Sequence, residues 1–380
     1  MFYILPFMKI YNNFVQNAPF SPSVTLFGVN LSDPYGSAGV ANPFPPFAPV
    51  HPTTSSTFGL PQQFQYFNPH WSLGHTNAFN FTIEQQLASD LVFRAAYVGT
   101  QGRNLQYFQE RDAAVYRAGA TVSNTNGRRP LAPNYASLME MTNDGVSNYH
   151  SAQLTMEKRF NSRFSILANY TYSKSLDNQS VDNQFTVSDP NPNDPHFNYG
   201  LSDFDTPHNL SSSGVWTLPH FNSHNRLLTA AVGGWQVAGS LAWRSGTPFN
   251  VISGQDRSLS GIALDRADLI GDPVIHSEQP RNSRISHSFN KSAFALNPLG
   301  TFGTSPRNPM RSVRVFNLDS SVQKTFGETR KLSIRCDFFN MFNNVHLNAP
   351  GLNVSSASTF GVITSAGDPR ILQLAARYRF

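Results

Sequence analysis

The sequence predicts an all-β fold: an antiparallel transmembrane β-barrel, represented by about ten strands, with long extracellular loops and short periplasmic turns. Apolar and polar side chains alternate with a period of two along much of the chain, as in strands with one apolar face. Only 13% of the 380 residues are charged, whereas 13% are aromatic. A soluble domain has about 25% charged residues, so the composition also points away from water as the only solvent.

Nine segments carry the alternation. In the first of them, Phe79 and Phe81 alternate with Asn80 and Thr82. The predicted strands cover 79–87, 91–98, 152–157, 164–173, 210–218, 235–244, 316–323, 332–339 and 372–380. Helical periodicity with capping residues is hard to find, which excludes a helical bundle.

The connections between these strands alternate between short and long. The short ones are 88–90, 161–163 and 327–329, with an intermediate one at 219–234. The long ones are 12–75, 100–148, 175–207, 246–312 and 344–369. Placing every short turn in the periplasm leaves no conflict along the nine strands, as a transmembrane barrel requires. A soluble β-sandwich is the competing interpretation, although compact soluble domains rarely contain so many long loops.

Two regions follow from this pattern. Residues 1–74 are expected to hold a tenth strand within 1–11 and a proline-rich extracellular loop, whereas residues 75–380 are expected to hold the nine strands. No stretch of 18 apolar residues predicts a membrane helix. The first residues, MFYILPFMKIYNN, lack a basic region and a cleavage site, so we expect any export signal to lie outside this sequence. With a net charge of +5 and no long Lys/Arg run, nucleic-acid binding is not expected.

The two faces of such strands have different expected surroundings. The apolar face should contact outer-membrane lipid, with aromatic rings near the headgroups. The residues expected in these aromatic girdles are Tyr170, Tyr172, Trp216, Trp235, Trp243 and Tyr378. The polar face should line a wet lumen, with Glu84, Arg94, Glu157, Arg244, Asp319, Arg335, Asp337, Arg377 and Arg379 as its charged wall.

The chain ends in LQLAARYRF, with an apolar or aromatic residue at every second position back from Phe380. This end resembles the C-terminal signature by which bacterial outer-membrane proteins are delivered to the barrel-assembly machinery. The resemblance implies that Tyr378 and Phe380 form an assembly signal.

Residues 75–380 resemble the C-terminal part of the β-barrel domain of Oar-like TonB-dependent receptors. The blocks that carry the resemblance are NYHSAQLTMEKRF (148–160), NYTYSKSLDN (169–178), GLSDFDTPHNL (200–210), GVWTLP (214–219), GGWQVAGSLAWRSGTPF (233–249), FNKSAFALNPLGTFGTSPRN (289–308), LDSSVQKTF (318–326), RCDFFNMFN (335–343) and STFGVITSAGDPRILQLAARYRF (358–380). The segments NAPFSPSVTL (17–26) and DPYG…NPFPP (33–46) look like an extracellular loop of the same family.

That resemblance implies an outer-membrane barrel of about 22 strands that imports or exports an unknown ligand with energy from the TonB system. It also implies a plug domain, a TonB box, an N-terminal regulatory-like β-domain and a signal peptide, and no segment of this sequence matches them. We therefore expect the chain to represent about the last ten strands of such a barrel. The alternative is a stand-alone outer-membrane or secreted β-protein with an adhesive or structural role.

Several polar clusters are candidate sites. The run from Asp189 to Asp194 has oxygen ligands at alternate positions, but it lacks the glycine and glutamate of a calcium loop, so a turn region is favoured. Asp203, Asp205 and His208 are expected to form a polar cluster at the inner rim of the barrel.

No enzyme is expected. GxSxG, GxGxxG, HExxH and phosphate-binding loop motifs do not occur, so no catalytic, cofactor-binding or metal-binding residue is assigned. His220 and His224 are four residues apart, but Pro219 argues against the helix that a metal pair would need. Cys336 alternates with apolar residues and is expected to face lipid rather than act as a nucleophile.

Overall fold

The computed structural model describes residues 2–4, 17, 26, 28–39, 60–160, 163–180, 189–194, 196–219, 233–276, 280–327 and 331–380. The strands in these ranges are β1 (Phe2–Ile4), β2 (Gln62–Phe67), β3 (Gly74–Ala88), β4 (Leu91–Glu110), β5 (Tyr135–Phe160), β6 (Phe164–Asp177), β7 (Gly200–Leu201), β8 (His208–Thr217), β9 (Trp235–Arg244), β10 (Pro248–Phe249), β11 (Asp268–Leu269), β12 (Phe294–Ala295), β13 (Met310–Arg311), β14 (Val315–Phe326), β15 (Lys331–Phe339) and β16 (Ile371–Arg379). The helical segments are α1 (Pro34–Ser37), α2 (Arg281–Ser286) and two 3₁₀ turns, Asn126–Arg128 and Lys291–Ala293. No helix in these ranges is long and apolar enough to span a membrane.

One large antiparallel sheet organises the chain. Its strands lie in the order β1-β3-β4-β5-β6-β8-β9-β14-β15-β16, so each long strand pairs with the next long strand in sequence. All nine predicted strands are confirmed. The predicted tenth strand is confirmed at Phe2–Ile4, which pairs with Gly74–Thr76, while the rest of 1–11 lies outside the described residues. Within the described ranges β1 and β16 each pair on one side only, which leaves the sheet open.

The register places all nine predicted apolar series on a single face of the sheet, here called the apolar face. One continuous row across seven strands shows this: Ile83, Ala95, Leu154, Tyr170, Leu210, Trp243 and Phe316. Phe81 is 67% exposed and Leu374 is 79% exposed on this face. A soluble sandwich would bury these side chains, so the sandwich interpretation is wrong and the face is suited to lipid.

Two strands, β4 and β5, are much longer than predicted. The interval 100–148 was expected to be a loop, but β4 continues to Glu110 and β5 begins at Tyr135. The two strands pair as far as the match of Glu110 with Met139, across register shifts between Gly102 and Tyr107. Those bulges interrupt the two-residue period, which is why the alternation hides the extension. Likewise, β2 forms within the predicted proline-rich loop and pairs in parallel with β5.

The long connections pack on one another at the end of the sheet opposite the short turns. We call residues 111–134, 189–207, 246–314 and 340–370, as far as they are described, the loop layer. Two small ribbons, β10–β13 and β11–β12, hold it together. Its core consists of Phe249, Val251, Ala267, Phe289, Ala293, Phe294 and Phe360. Phe289 is 1% exposed and packs edge-on against Phe294 and Phe360.

Candidate functional site

The face opposite the lipid-suited one, here called the polar face, carries the nine charged residues expected to line the lumen. Their positions follow from the strand pairing: Glu84 lies opposite Arg94, for example, and Asp337 opposite Ser321. Arg94 donates from Nε to Glu84 Oε2 at 2.7 Å. The residues spread over β3 to β16 and thus make a wall rather than one compact centre.

A concave groove of about 710 Å³ runs along this wall between β5 and β16, and we call it the polar groove. Four of the predicted residues line it: Glu157, Asp319, Arg335 and Asp337. Its middle is built from small side chains, because Ser213 pairs with Ser240, which in turn pairs with Asp319. Short side chains at directly opposed positions leave the space that larger ones would fill.

The charges in the polar groove are balanced locally. Arg335 donates from Nε to Asp337 Oδ1 at 2.7 Å, and Arg159 forms an ion pair with Glu157. Asp319 accepts a hydrogen bond from the backbone N–H of Asn340 at 2.8 Å. The groove therefore offers both donors and acceptors to a polar solute. Of the other predicted residues, Arg244 lies at the end of β9 near the loop layer, and Arg377 and Arg379 lie on the edge strand β16.

A buried arginine joins the loop layer to the rim of the sheet. Arg307 forms an ion pair with Asp177, the last residue of β6, and both side chains are under 5% exposed. Its second terminal nitrogen donates to Ser180 Oγ at 2.7 Å and to Asp203 Oδ1 at 3.1 Å. Planar guanidinium groups suit such multiple contacts, and a buried charge is stable only when it is paired in this way.

Two further arginines extend this arrangement, which we call the arginine clamp (Arg266, Arg307 and Arg311). Arg311 pairs with the buried carboxylate of Asp205 and donates to the Asp205 carbonyl oxygen at 3.0 Å. Arg266 lies 4.5 Å from the centre of the Phe197 ring, and burial lowers its pKa to about 10. The clamp joins three residues of the long connection after β9 to Asp177, Phe197, Asp203 and Asp205.

The acidic run from Asp189 to Asp194 forms a series of turns, as predicted. The Asn191 N–H donates to Asp189 Oδ1 at 3.0 Å, and the His196 N–H donates to Asp194 Oδ1 at 2.9 Å. Asp189 is fully buried, and burial raises its pKa to about 6 despite a hydrogen bond from Gln109. Among the described residues, no group of three His, Cys, Asp or Glu side chains could hold a metal ion.

The prediction that Asp203, Asp205 and His208 form one polar cluster is wrong for His208. Both aspartates contact the arginine clamp, whereas His208 shares the apolar face with Tyr172, its cross-strand partner. The His208 ring lies 6.0 Å from that of Trp243, and its Nδ1 lies 2.7 Å from the Tyr170 hydroxyl. His208 lies on the apolar face because it is two residues from Leu210 on the same strand, and alternate residues of a strand face the same side. His220 and His224 lie outside the described residues.

Cys336 and the two residues of the predicted assembly signal, Tyr378 and Phe380, lie on the apolar face. Cys336 has Val322 and Leu374 as cross-strand partners and is a free thiol. Tyr378 is 54% exposed, and Phe380, just beyond β16, is fully exposed. Their rings are 6.3 Å apart. The geometry leaves both rings accessible to a partner.

Sequence reasoning missed the arginine clamp. The only local signal is that Asp205 and Arg307 lie in two blocks quoted above, DFDTPHNL and TSPRN. Which carboxylate each arginine meets depends on contacts across more than 100 residues, which no periodicity encodes.

Comparison with known proteins gives one family match. Residues 1–373 match the model of an outer membrane beta barrel domain. No curated protein sequence matches.

Solved structures with a similar course of the chain include three outer-membrane proteins. The outer membrane transporter YddB from Escherichia coli is 13% identical, with 83% of this chain and 34% of that chain covered and a TM-score of 0.44. The ferripyoverdine receptor of Pseudomonas aeruginosa is 12% identical, with 80% and 27% covered and a TM-score of 0.41. The ferric-catecholate import receptor Fiu from E. coli K12 is 10% identical, with 81% and 28% covered and a TM-score of 0.40. The chain spans about a third or less of their lengths.

The family match covers nearly the whole chain and agrees with the antiparallel sheet and its exposed apolar face. The chain belongs to the outer membrane β-barrel domain family and is a protein of the bacterial outer membrane.

Proposed function

We propose that this chain forms part of the wall of an outer-membrane transporter of the Oar-like, TonB-dependent receptor kind. The observation that carries the proposal is the polar groove, which lies on the face opposite lipid and combines serines with paired charges. A protein that only anchored itself in the membrane would be expected to fill this space with larger side chains. A wet wall with donors and acceptors suits a polar solute in passage.

The first experiment asks whether the polar face contacts water in the native membrane. In a Cys336→Ser background, Ser213→Cys on the polar face should react readily with a water-soluble maleimide. The natural thiol of Cys336, on the apolar face, should react only after unfolding in urea. Equal protection of both thiols would contradict a wet lumen.

The second experiment tests transport without assuming a ligand. Cells with and without the gene are grown in one complex medium, and the depletion of its solutes is compared by mass spectrometry. At least one solute should be depleted only when the gene is present, and Asp319→Asn/Asp337→Asn should slow its depletion. A protonophore should abolish the effect if the TonB system supplies the energy. An unchanged solute profile would overturn the proposed transport.

The size of the barrel needs its own test. We propose that the large sheet joins further strands, because both edges of the described sheet present unpaired backbone groups, which are costly in lipid. The purified chain should then migrate identically in gels with and without heating. Heat-modifiable migration would show that the chain closes alone, as the adhesive or structural alternative requires.

We further propose that Tyr378 and Phe380 guide assembly through the barrel-assembly machinery, since both rings are exposed at the chain end. Phe380→Ser should reduce the amount of chain inserted in outer-membrane fractions. Arg379→Gln, on the opposite face, serves as the control. Equal insertion of the two variants would contradict this role.

A further inference from the structure

Along the regular strand ladders, the apolar face carries charges of one sign only. With β4 taken up to Arg103 and β5 from Ser147 onward, the charged residues at apolar-face positions are Arg103, Lys158, Lys174 and Lys324. Lys158 and Lys324 lie toward the short turns, whereas Arg103 and Lys174 lie toward the loop layer. Positive charge therefore borders the lipid-suited band at both ends.

The two borders differ in how their charges are satisfied. Lys158 lies 3.9 Å from Asp90, and Lys324 donates to the Gly233 carbonyl oxygen at 2.6 Å between two aromatic rings. At the loop-layer border, Lys174 is exposed and meets no acceptor in the described part of the chain. The loop-layer border therefore has basic groups that are available to an external anion.

Arg103 is held in position by neutral oxygens. Its terminal nitrogens donate to the Gly102 and Ser147 carbonyl oxygens at 2.7 and 3.0 Å and to Asn148 Oδ1 at 2.8 Å. None of the described carboxylates pairs with it. A guanidinium that is fixed but not neutralised is prepared for a phosphate group.

Strand pairing brings a second basic side chain and two histidines close to these groups. His150 is the direct cross-strand partner of Lys174, and His75 is that of Arg103. Directly paired residues lie about 5 Å apart. The His150–Lys174 pair lies in the row of Gly99, four residues from Arg103 along β4, and the Arg103 guanidinium spans part of this distance by reaching Asn148, two residues from His150. We call His75, Arg103, His150 and Lys174 the basic patch.

An aromatic shelf borders the basic patch on the side of the lipid band. The Phe79 ring covers the space above Gly99, where an added Cβ would lie only 2.1 Å from a ring carbon. The Tyr97 hydroxyl lies 2.7 Å from His150 Nδ1 and holds that ring in place. Amphipathic rings of this kind lie at the interface between acyl chains and headgroups.

We propose that the basic patch binds the phosphate group of an anionic lipid in the outer leaflet, with its acyl chains against Phe79 and Tyr97. The long loops mark this border as the extracellular side. The guanidinium of Arg103 supplies hydrogen-bond donors in a fixed position, and the flexible side chain of Lys174 supplies a second positive charge. The site lies on the outside of the wall and is independent of the proposed transport.

The test uses the full chain purified in detergent and probed with lipid A and with its dephosphorylated form. Binding is measured by native mass spectrometry, and retention of the fold by circular dichroism. The Arg103→Gln/Lys174→Gln variant should bind lipid A about 30-fold more weakly, at about 5-fold for each basic residue near an anionic headgroup. Binding of the dephosphorylated lipid should not change.

A matched control removes the same charge from the polar face. Lys331 and Arg379 are direct cross-strand partners there, so Lys331→Gln/Arg379→Gln changes the net charge equally without touching the basic patch. Equal losses in both double variants, or equal binding of both lipids by the natural chain, would overturn the proposal. If Arg103→Gln disturbs the fold, Lys174→Gln alone should still weaken lipid A binding about 5-fold. Unchanged binding in that single variant would also count against it.

Discussion

The membrane-spanning sheet and the loop layer distribute their side chains in opposite ways. In the sheet, Phe81 is 67% exposed, whereas Phe289 in the loop layer is 1% exposed. Charged pairs are reversed as well: the Glu84–Arg94 pair is half-exposed on the polar face, while Asp177–Arg307 is buried at the rim. The side chains are therefore distributed to suit two solvents: lipid surrounds the sheet, and water surrounds the loops.

The boundary between the lipid-facing sheet and the loop layer lies near a row of aromatic side chains. Phe164 and Tyr172 lie on one strand, eight residues apart, which corresponds to about 27 Å along the strand. That distance approximates the height of the apolar band in outer-membrane barrels. Beyond Tyr172 and Tyr97, strands β4 to β6 continue past the lipid band, and side chains near their far ends, such as Tyr107, Met141 and Asp177, are buried. Substitutions on either side of this row should therefore have contrasting costs.

The largest effect is expected at the arginine clamp. Arg307→Met should destabilise the loop layer by about 3–5 kcal/mol, because it leaves the Asp177 carboxylate buried without its cation. Limited proteolysis and thermal unfolding in detergent would measure the loss. Replacing both partners, in Arg307→Met/Asp177→Leu, should recover part of it. A double variant no more stable than the single one would show that packing, not charge, dominates.

The next largest effect should separate the two faces of one strand. Ala95 lies on the apolar face between Ile83 and Leu154, and Ala96 lies on the polar face. Ala95→Arg should cost about 2–4 kcal/mol near the middle of the bilayer. Ala96→Arg is the matched control and should cost much less. Folding yields into lipid vesicles would compare them, and equal costs would refute the assignment of the faces.

A pH effect is expected only in the loop layer. Burial raises the pKa of Asp189 to about 6 from its usual 3.8, so the folded chain binds this proton more tightly than the unfolded chain. Stability should therefore fall as pH rises from about 4 to 6, by on the order of 2 kcal/mol, and then level off. Burial also raises the pKa of Asp112 and of Asp265, so Asp189→Asn should reduce this slope in thermal unfolding without abolishing it, whereas the exposed neighbour Asp194→Asn should preserve it in full. A slope left unchanged by Asp189→Asn would assign it to the other groups.

The smallest effect is expected at the exposed pair of the polar face. Glu84→Gln should change stability by about 0.2–1 kcal/mol, because solvent screens the Glu84–Arg94 attraction. Denaturant-dependent folding into vesicles would measure it, with Arg94→Gln as the reciprocal variant. A loss comparable to that of Arg307→Met would mean that the polar face is not in water.

Much of the sheet was predictable because its information is local. Each strand shows its two faces through alternate residues, and nine such segments, joined by short and long connections, favoured a membrane barrel over a sandwich. The same parity would have placed His208 on the apolar face, had the alternation been extended two residues before Leu210. The extension of β4 was hidden because the bulges after Gly102 break the period.

The loop layer was far less predictable. Its proline and asparagine content indicated turns, and the run from Asp189 to Asp194 is indeed a series of turns. Its aromatic core gave no periodic signal, since Phe249 and Phe289 lie 40 residues apart in one long connection and Phe360 lies in another. Nor did composition indicate that Asp205 and Arg311 would be paired across the rim.

By itself the sequence determined the strands, their two faces and hence the lipid around them, because period-two alternation is read from neighbouring residues and the hydrophobic effect acts on it directly. Only the tertiary structure decided which charges are buried, which loops are clamped together and where basic side chains of four different strands converge. Those outcomes depend on register and on contacts between distant segments, whose energies are invisible until the chain has folded.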